Sequence, residues 1–183
     1  MLKQVNLSKF NNTQYQIGAS KLKNICWYLC NVLFFKSACP HYSIKILLLK
    51  LFGAKMGKNI LIKPHVNIKY PWKLILGNDI WIGEQAWIDN LDMVTIGNNV
   101  CISQGAIILC GNHNYKIETF DLITQPISIE NGVWIGAKSM VCGGAICKEN
   151  SVLMVQSVAV GILENNGIYR GNPAIKIKER YIE

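Results

Sequence analysis

From Met56 onward an apolar residue returns every six positions, and few chains that obey such a rule have more than one way to fold. The hexads begin at Met56, Ile62 and Ile68, then at Leu76, Ile82 and Ile88, then at Ile96, Ile102 and Ile108. They resume at Ile129, Ile135 and Val141, and end with Cys147, Leu153 and Ala159. Every first position is apolar in a chain that is 50% hydrophobic, which chance does not supply. Fifth positions are mostly small or β-branched, among them Val66, Ala86, Ala106, Val133, Ala145 and Ser157, and Gly often follows the first position, as at Gly57, Gly77, Gly97 and Gly136.

A hexad whose first residue points inward, whose second is often Gly and whose fifth is small describes a short strand followed by a tight corner. Three such sides close a triangular prism, so eighteen residues make one coil and the chain holds about five. Stacked at the strand spacing of about 4.8 Å, five coils span roughly 24 Å. Residues 74–75, 94–95 and 114–128 fall outside the hexads, each after a complete set of three, so all three interruptions leave from one corner. The third is a fifteen-residue excursion after coil three, long enough to mark a functional loop.

The first 55 residues lack the repeat. Leu22, Ile25, Cys26, Leu29, Val32 and Leu33, then Ile44, Leu47, Leu48 and Leu51, recur at helical spacing and predict two short amphipathic helices packed on the prism. Flanking lysines also allow contact with a membrane surface. The expected organisation is a helical segment 1–55, a β-helix 56–164 and an extension 165–183. The formal charge of +8 suits an anionic partner, although the lysines form no basic run interleaved with aromatics, which disfavours nucleic acid. Seven cysteines without a C-x-x-C pair predict free thiols in a reducing compartment. No stretch reads as a secretory signal or is long enough to span a bilayer, so a cytoplasmic protein is expected, with the inner membrane face as a further location.

Among His41, His65 and His113 only His113 stands at the mouth of the long loop, in Gly111-Asn112-His113-Asn114-Tyr115. As sixth residue of its hexad it should lie outside the core, in a column with Met93 below and Ile146 above, where a neutral imidazole could act as general base. A loop histidine bonded to a backbone carbonyl is the alternative from position alone. Trp81, Cys101 and Trp134 should form an outward column suited to an intersubunit surface.

The hexads, the Gly-Asn-His-Asn-Tyr loop and the ending Gly171-Asn172-Pro173-Ala174 resemble the hexapeptide-repeat acetyltransferases. Leu7-Ser8-Lys9-Phe10-Asn11, Trp27-Tyr28, Leu51-Phe52-Gly53-Ala54-Lys55, Pro71-Trp72-Lys73-Leu74 and Trp87-Ile88-Asp89-Asn90-Leu91 resemble the colanic acid biosynthesis branch. The resemblance implies a left-handed parallel β-helix and transfer of acetyl from acetyl-CoA, without metal, to a sugar or glycan hydroxyl in surface polysaccharide biosynthesis. It implies a homotrimer with active sites between subunits and His113 as base. Asp89, Asn90, Trp87, Asn112 and Tyr115 are the implied acceptor residues, and Gly136, Ala137, Val155, Lys176 and Lys178 the implied CoA residues.

The chain departs from that pattern twice. Asn114 stands where many relatives carry Asp, so the group that orients the imidazole must come from elsewhere. Val160-Gly161 stands where a Thr-Lys pair often meets CoA. A zinc anhydrase on the same fold would need an H-x-x-x-x-H spacing that no two of the three histidines have. A long-chain acyltransferase would need a longer prism. A non-catalytic scaffold or binding module is the alternative function.

Overall fold

Each hexad folds as a strand of two or three residues followed by a corner, and the corner explains the residues at its fourth position. In the computed structural model, which describes residues 4–183, Asn59, Asp79, Asn99 and Asn150 hold φ between 56° and 58°. Asn and Asp tolerate this left-handed conformation better than other side-chain-bearing residues. The asparagines beside the corners also bond along the stack: Asn98 Oδ1 accepts from Asn78 N, and Asn131 Oδ1 from Asn98 N, both at 2.8 Å. Coils approach so closely that a Cβ on Gly77 would stand 2.7 Å from the carbonyl of Gly97.

The result is a parallel β-solenoid. One side stacks Lys55–Met56, Leu74–Leu76, Val94–Ile96, Ile127–Ile129, Ile146–Cys147 and Ile162–Leu163. The second runs from Ile60–Ile62 through Ile80–Ile82, Cys101–Ile102, Trp134–Ile135 and Val152–Leu153 to Gly167–Gly171, and the third from Asn67–Ile68 to Val158–Ala159. Met56 at the open end is half-buried, and every later first-position residue is buried. There are about six turns rather than five. Beyond the last hexad, Leu163 and Tyr169 point inward on a further two-sided turn, and Ala174–Glu179 returns antiparallel to close it.

The interruptions do share one corner, but two begin earlier than expected. Leu74 and Val94 are buried strand residues, and the extra length is taken up before them, by the turn Pro71–Lys73 and by residues 90–93. The third departs at Gly111, where Gly111–His113 pairs antiparallel with Leu122–Thr124. His113 therefore sits on a hairpin off the prism. Ile146 pairs with Ser128 instead, and the column of Met93, His113 and Ile146 does not form.

Along the stack, backbone groups of successive coils pair in both directions, as from Gly57 N to Leu76 O and from Asp79 N to Lys58 O. The lowest coil has no coil beneath it, and the backbone groups that it turns outward at that end need partners. Helix α1 (Lys21–Cys30), started by the Ser20 side chain, and helix α2 (Tyr42–Leu51) bring them. Trp27 Nε1 donates to Ile68 O at 2.9 Å, and the buried Lys45 ammonium donates to Lys63 O at 3.0 Å. Burial holds the Lys45 pKa below its ordinary value.

The faces that do this are not the apolar sets that the helical spacing picks out. The buried residues are Trp27, Asn31, Phe35, Lys45 and Leu49, whereas Leu22, Ile25, Leu29, Val32, Leu33, Ile44, Leu47 and Leu51 are exposed. Both helices are apolar on two sides, so periodicity alone could not choose the packed one.

Cys147 and Cys110 lie inside the prism, where burial pushes their thiols up to about 12 and about 11. Both folded values exceed those of the unfolded chain. The stabilisation is therefore complete below about pH 9 and is lost as pH rises through the folded values. Thermal stability should fall between pH 9 and pH 11, by up to about 1.4 kcal/mol per pH unit for each thiol. Melting curves across this range should be flatter for Cys147→Val than for wild type.

Candidate functional site

The hairpin that carries His113 is built by its own polar residues. Asn112 Oδ1 accepts from His113 N at 2.8 Å, Asn114 N donates to Asp121 O at 2.8 Å, and Phe120 adopts φ 52° at the turn. That turn brings Phe120 O within 2.8 Å of His113 Nδ1 and lays the Phe120 ring parallel to the imidazole at 4.4 Å. Phe10 covers the ring obliquely at 5.8 Å.

A carbonyl can only accept, so Nδ1 must carry the proton and Nε2 keeps its lone pair in the neutral ring. A proton taken by Nε2 would give an imidazolium still bonded to the same carbonyl. Asn114 plays no part in this orientation; its Oδ1 accepts from Lys116 N. The orienting group missing from the sequence pattern is a main-chain oxygen seven residues beyond His113, which no side-chain motif could reveal.

His113 lines a cavity of about 530 Å³ with Phe10, Tyr15, Tyr70, Asp89 and Asn112. Its roof is an N-terminal strap tied down at several points. Tyr15 Oη donates to Leu91 O at 2.7 Å, Trp72 Nε1 to Ile17 O at 2.8 Å, and Lys73 Nζ to Gln16 O at 3.0 Å and Leu91 O at 2.7 Å. Lys9 pairs with Glu118 at 2.7 Å and Asn6 N donates to Glu118 O, so the strap also grips the hairpin. Burial lowers the Lys73 pKa and raises that of Tyr15, as expected for groups clamped between strap and prism.

Asp89 is 5% exposed and meets the Lys69 ammonium at 3.0 Å, while its Oδ1 has no hydrogen-bond donor of good geometry. It borders a second cavity of about 420 Å³, shared through Lys69 and Tyr70, where Trp87, Lys36 and α1 form the other walls. The two cavities adjoin along the third side as neighbouring lobes, with Lys69, Tyr70 and Asp89 walling both.

The structure thus brings together His113, Asp89 and Asn112, with Trp87 in the adjoining lobe. It does not bring Asn90 or Tyr115 to them. Asn90 is fully buried and spends its amide on Tyr70 N, Tyr70 O and Lys73 O, holding the 70–73 turn. Tyr115 is 70% exposed beyond the hairpin tip. Phe10, Tyr15, Lys69, Tyr70 and Phe120 were not expected at the site; Phe10 lies in a motif noted for resemblance, whereas Tyr15 carries no local signal.

The remaining expected residues occupy a different corner. Gly136 and Ala137 lie between the second and third sides of coil four, with Val155 one coil above: Gln156 N donates to Ala137 O, and a Cβ on Gly136 would stand 2.6 Å from Val155 N. Lys176 and Lys178 are on the closing strand, Lys176 paired with Glu179 at 2.6 Å, which raises its pKa. Val160 is exposed and Gly161 has open space around it. Trp81, Cys101 and Trp134 do align as an outward column.

No protein-family profile matches the chain. It is 34% identical over 175 residues to the protein provisionally named colanic acid biosynthesis acetyltransferase WcaF of Escherichia coli, covering 95% of this chain and 96% of that one. It is 27% identical over 135 residues to galactoside O-acetyltransferase of the same organism, covering 72% and 66%. Among solved structures, a Vibrio cholerae hexapeptide-repeat acetyltransferase complexed with acetyl-CoA superposes with a TM-score of 0.82 at 19% identity, covering 96% of this chain and 98% of that one. Galactoside acetyltransferase in complex with CoA superposes at 0.77 and 23%, covering 86% and 80%. The extent of the first of these similarities and the solenoid itself agree: the chain belongs to the hexapeptide-repeat acetyltransferases, on the branch of the colanic acid biosynthesis enzymes.

Proposed function

We propose that the protein transfers the acetyl group of acetyl-CoA to a hydroxyl of a sugar or glycan precursor of a surface polysaccharide, with His113 as general base. The observation that carries this reading is the bond from His113 Nδ1 to Phe120 O, which leaves Nε2 as the basic nitrogen of a ring bordering a cavity. Nε2 takes the acceptor hydroxyl proton as that oxygen attacks the thioester carbonyl. The C–O bond forms, the C–S bond breaks, and the imidazolium returns its proton to the departing CoA sulfur. The Phe120 carbonyl holds the ring and stabilises its charged form throughout. A hydroxyl-rich acceptor suits a groove that offers the Asp89 carboxylate, the Lys69 ammonium and the Tyr70 and Trp87 rings.

The assignment of CoA to Gly136, Ala137, Val155, Lys176 and Lys178 has a geometric consequence. Those residues and His113 belong to different corners of one prism. Acetyl-CoA on the first is then offered to His113 of a neighbouring copy, and the outward column of Trp81 and Trp134 supplies an apolar surface for the contact. This supports the homotrimer, with each active site between two subunits.

His113→Ala should reduce CoA-thiol release from acetyl-CoA in the presence of a glycan acceptor by about 10²–10⁴-fold, the range ascribed to general bases, with acetyl-CoA binding retained. Unimpaired turnover by the variant would reject His113 as base. For the shared site, His113→Ala should be mixed and reassembled with Val155→Trp, which fills the CoA corner. Two inactive parents should then recover activity in about a quarter of the sites by random assortment. Absence of recovery from verified mixed oligomers would place the whole site within one chain.

A further inference from the structure

The exposed apolar stripe of α1 and its widened last turn lies on the side opposite the residues that pack. Leu22, Ile25, Leu29, Val32 and Leu33 follow helical spacing around that outer side, with Leu22 72% exposed. Helix α2 repeats the arrangement with Ile44, Leu47 and Leu51, the last 74% exposed. Two adjacent helices presenting branched aliphatic side chains to water make a patch that a soluble surface rarely carries unless something covers it.

The charge around the patch identifies the cover. Residues 1–78 contain twelve lysines and not one Asp or Glu, while residues 79–183 carry seven Lys and Arg with all eleven acidic residues. Lys21, Lys36 and Lys50 are exposed on the helical segment itself. A like face of a second copy would bring one all-cationic segment against another. An anionic lipid surface instead matches both properties: headgroups neutralise the lysines and the acyl boundary receives the aliphatic stripe. The helices are too short to enter further, since no helix among the described residues is long and apolar enough to cross a membrane.

We infer that α1 and α2 dock the protein on an anionic bilayer surface. The groove opens beside the same helix. Ile25 and Tyr28 belong to the exposed surface of α1 and also wall the lobe that holds Trp87 and Asp89. Docking therefore sets that lobe at the headgroup level, and the inference stands whether or not His113 is the base.

The test is flotation of the full-length protein with vesicles of phosphatidylcholine alone and with a quarter of phosphatidylglycerol. Wild type should float with the anionic vesicles at low salt, and weakly with neutral ones or in 0.5 M salt. The variant Leu29→Ser/Leu33→Ser/Leu47→Ser should lose about tenfold or more in partitioning, with its melting temperature and oligomeric mass unchanged because these side chains face outward. Failure of the wild type to float at low salt would overturn the inference. So would flotation that is salt-sensitive but unaffected by the triple variant, which is adsorption by charge alone. A fall in the oligomeric mass of the variant would also overturn it, assigning the patch to a second copy.

Discussion

The backbone hydrogen bonding of each coil to the next orders everything else in this molecule. Repeated on three sides, it forces the inward residue to return every six positions and admits only small side chains beside the corners. It also leaves the backbone at the two ends of the stack in need of partners. The lowest coil has no coil beneath it, and the N-terminal segment meets its backbone with Trp27 and Lys45 as donors and with Ser37 O as acceptor from His65 N. At the other end the antiparallel strand Ala174–Glu179 finishes the pairing. A parallel stack without those two closures would present open edges to any passing strand.

The same constraint positions the chemistry. Because inward residues cannot be exchanged for catalytic ones without opening the core, function is left to the corners, and the insertions all leave from one of them. There the chain adds a turn at Pro71–Lys73, a bulge at 90–93 and the hairpin that carries His113, one above another. The N-terminal strap crosses all three and roofs the groove between them. His113, the cavity and the strap are thus products of one corner, and the coil corner that the family resemblance assigns to CoA is another.

The repeat made the fold legible from the hexads alone, including which corner carries the insertions, because a period of six leaves little freedom. His113 was legible because it opens the longest insertion. What escaped was decided by contacts distant in sequence or by the main chain. Asn90 looks like any polar corner residue, yet Tyr70 and Lys73 consume its amide. Tyr15 becomes a wall of the cavity only because Lys73 and Leu91 hold the strap. The helical faces were misread because Leu22 and Trp27 are equally apolar, and only the orphan carbonyl of Ile68 decides between them.

Whether the Phe120 carbonyl sets the His113 tautomer is read most directly from the ring ¹⁵N spectrum of the protein labelled at histidine, with His113 identified by its loss in His113→Ala. If that carbonyl sets it, the neutral form of the ring carries its proton on Nδ1 and leaves Nε2 unprotonated. A ring carrying its proton on Nε2, the form that free imidazole side chains favour in water, would contradict it.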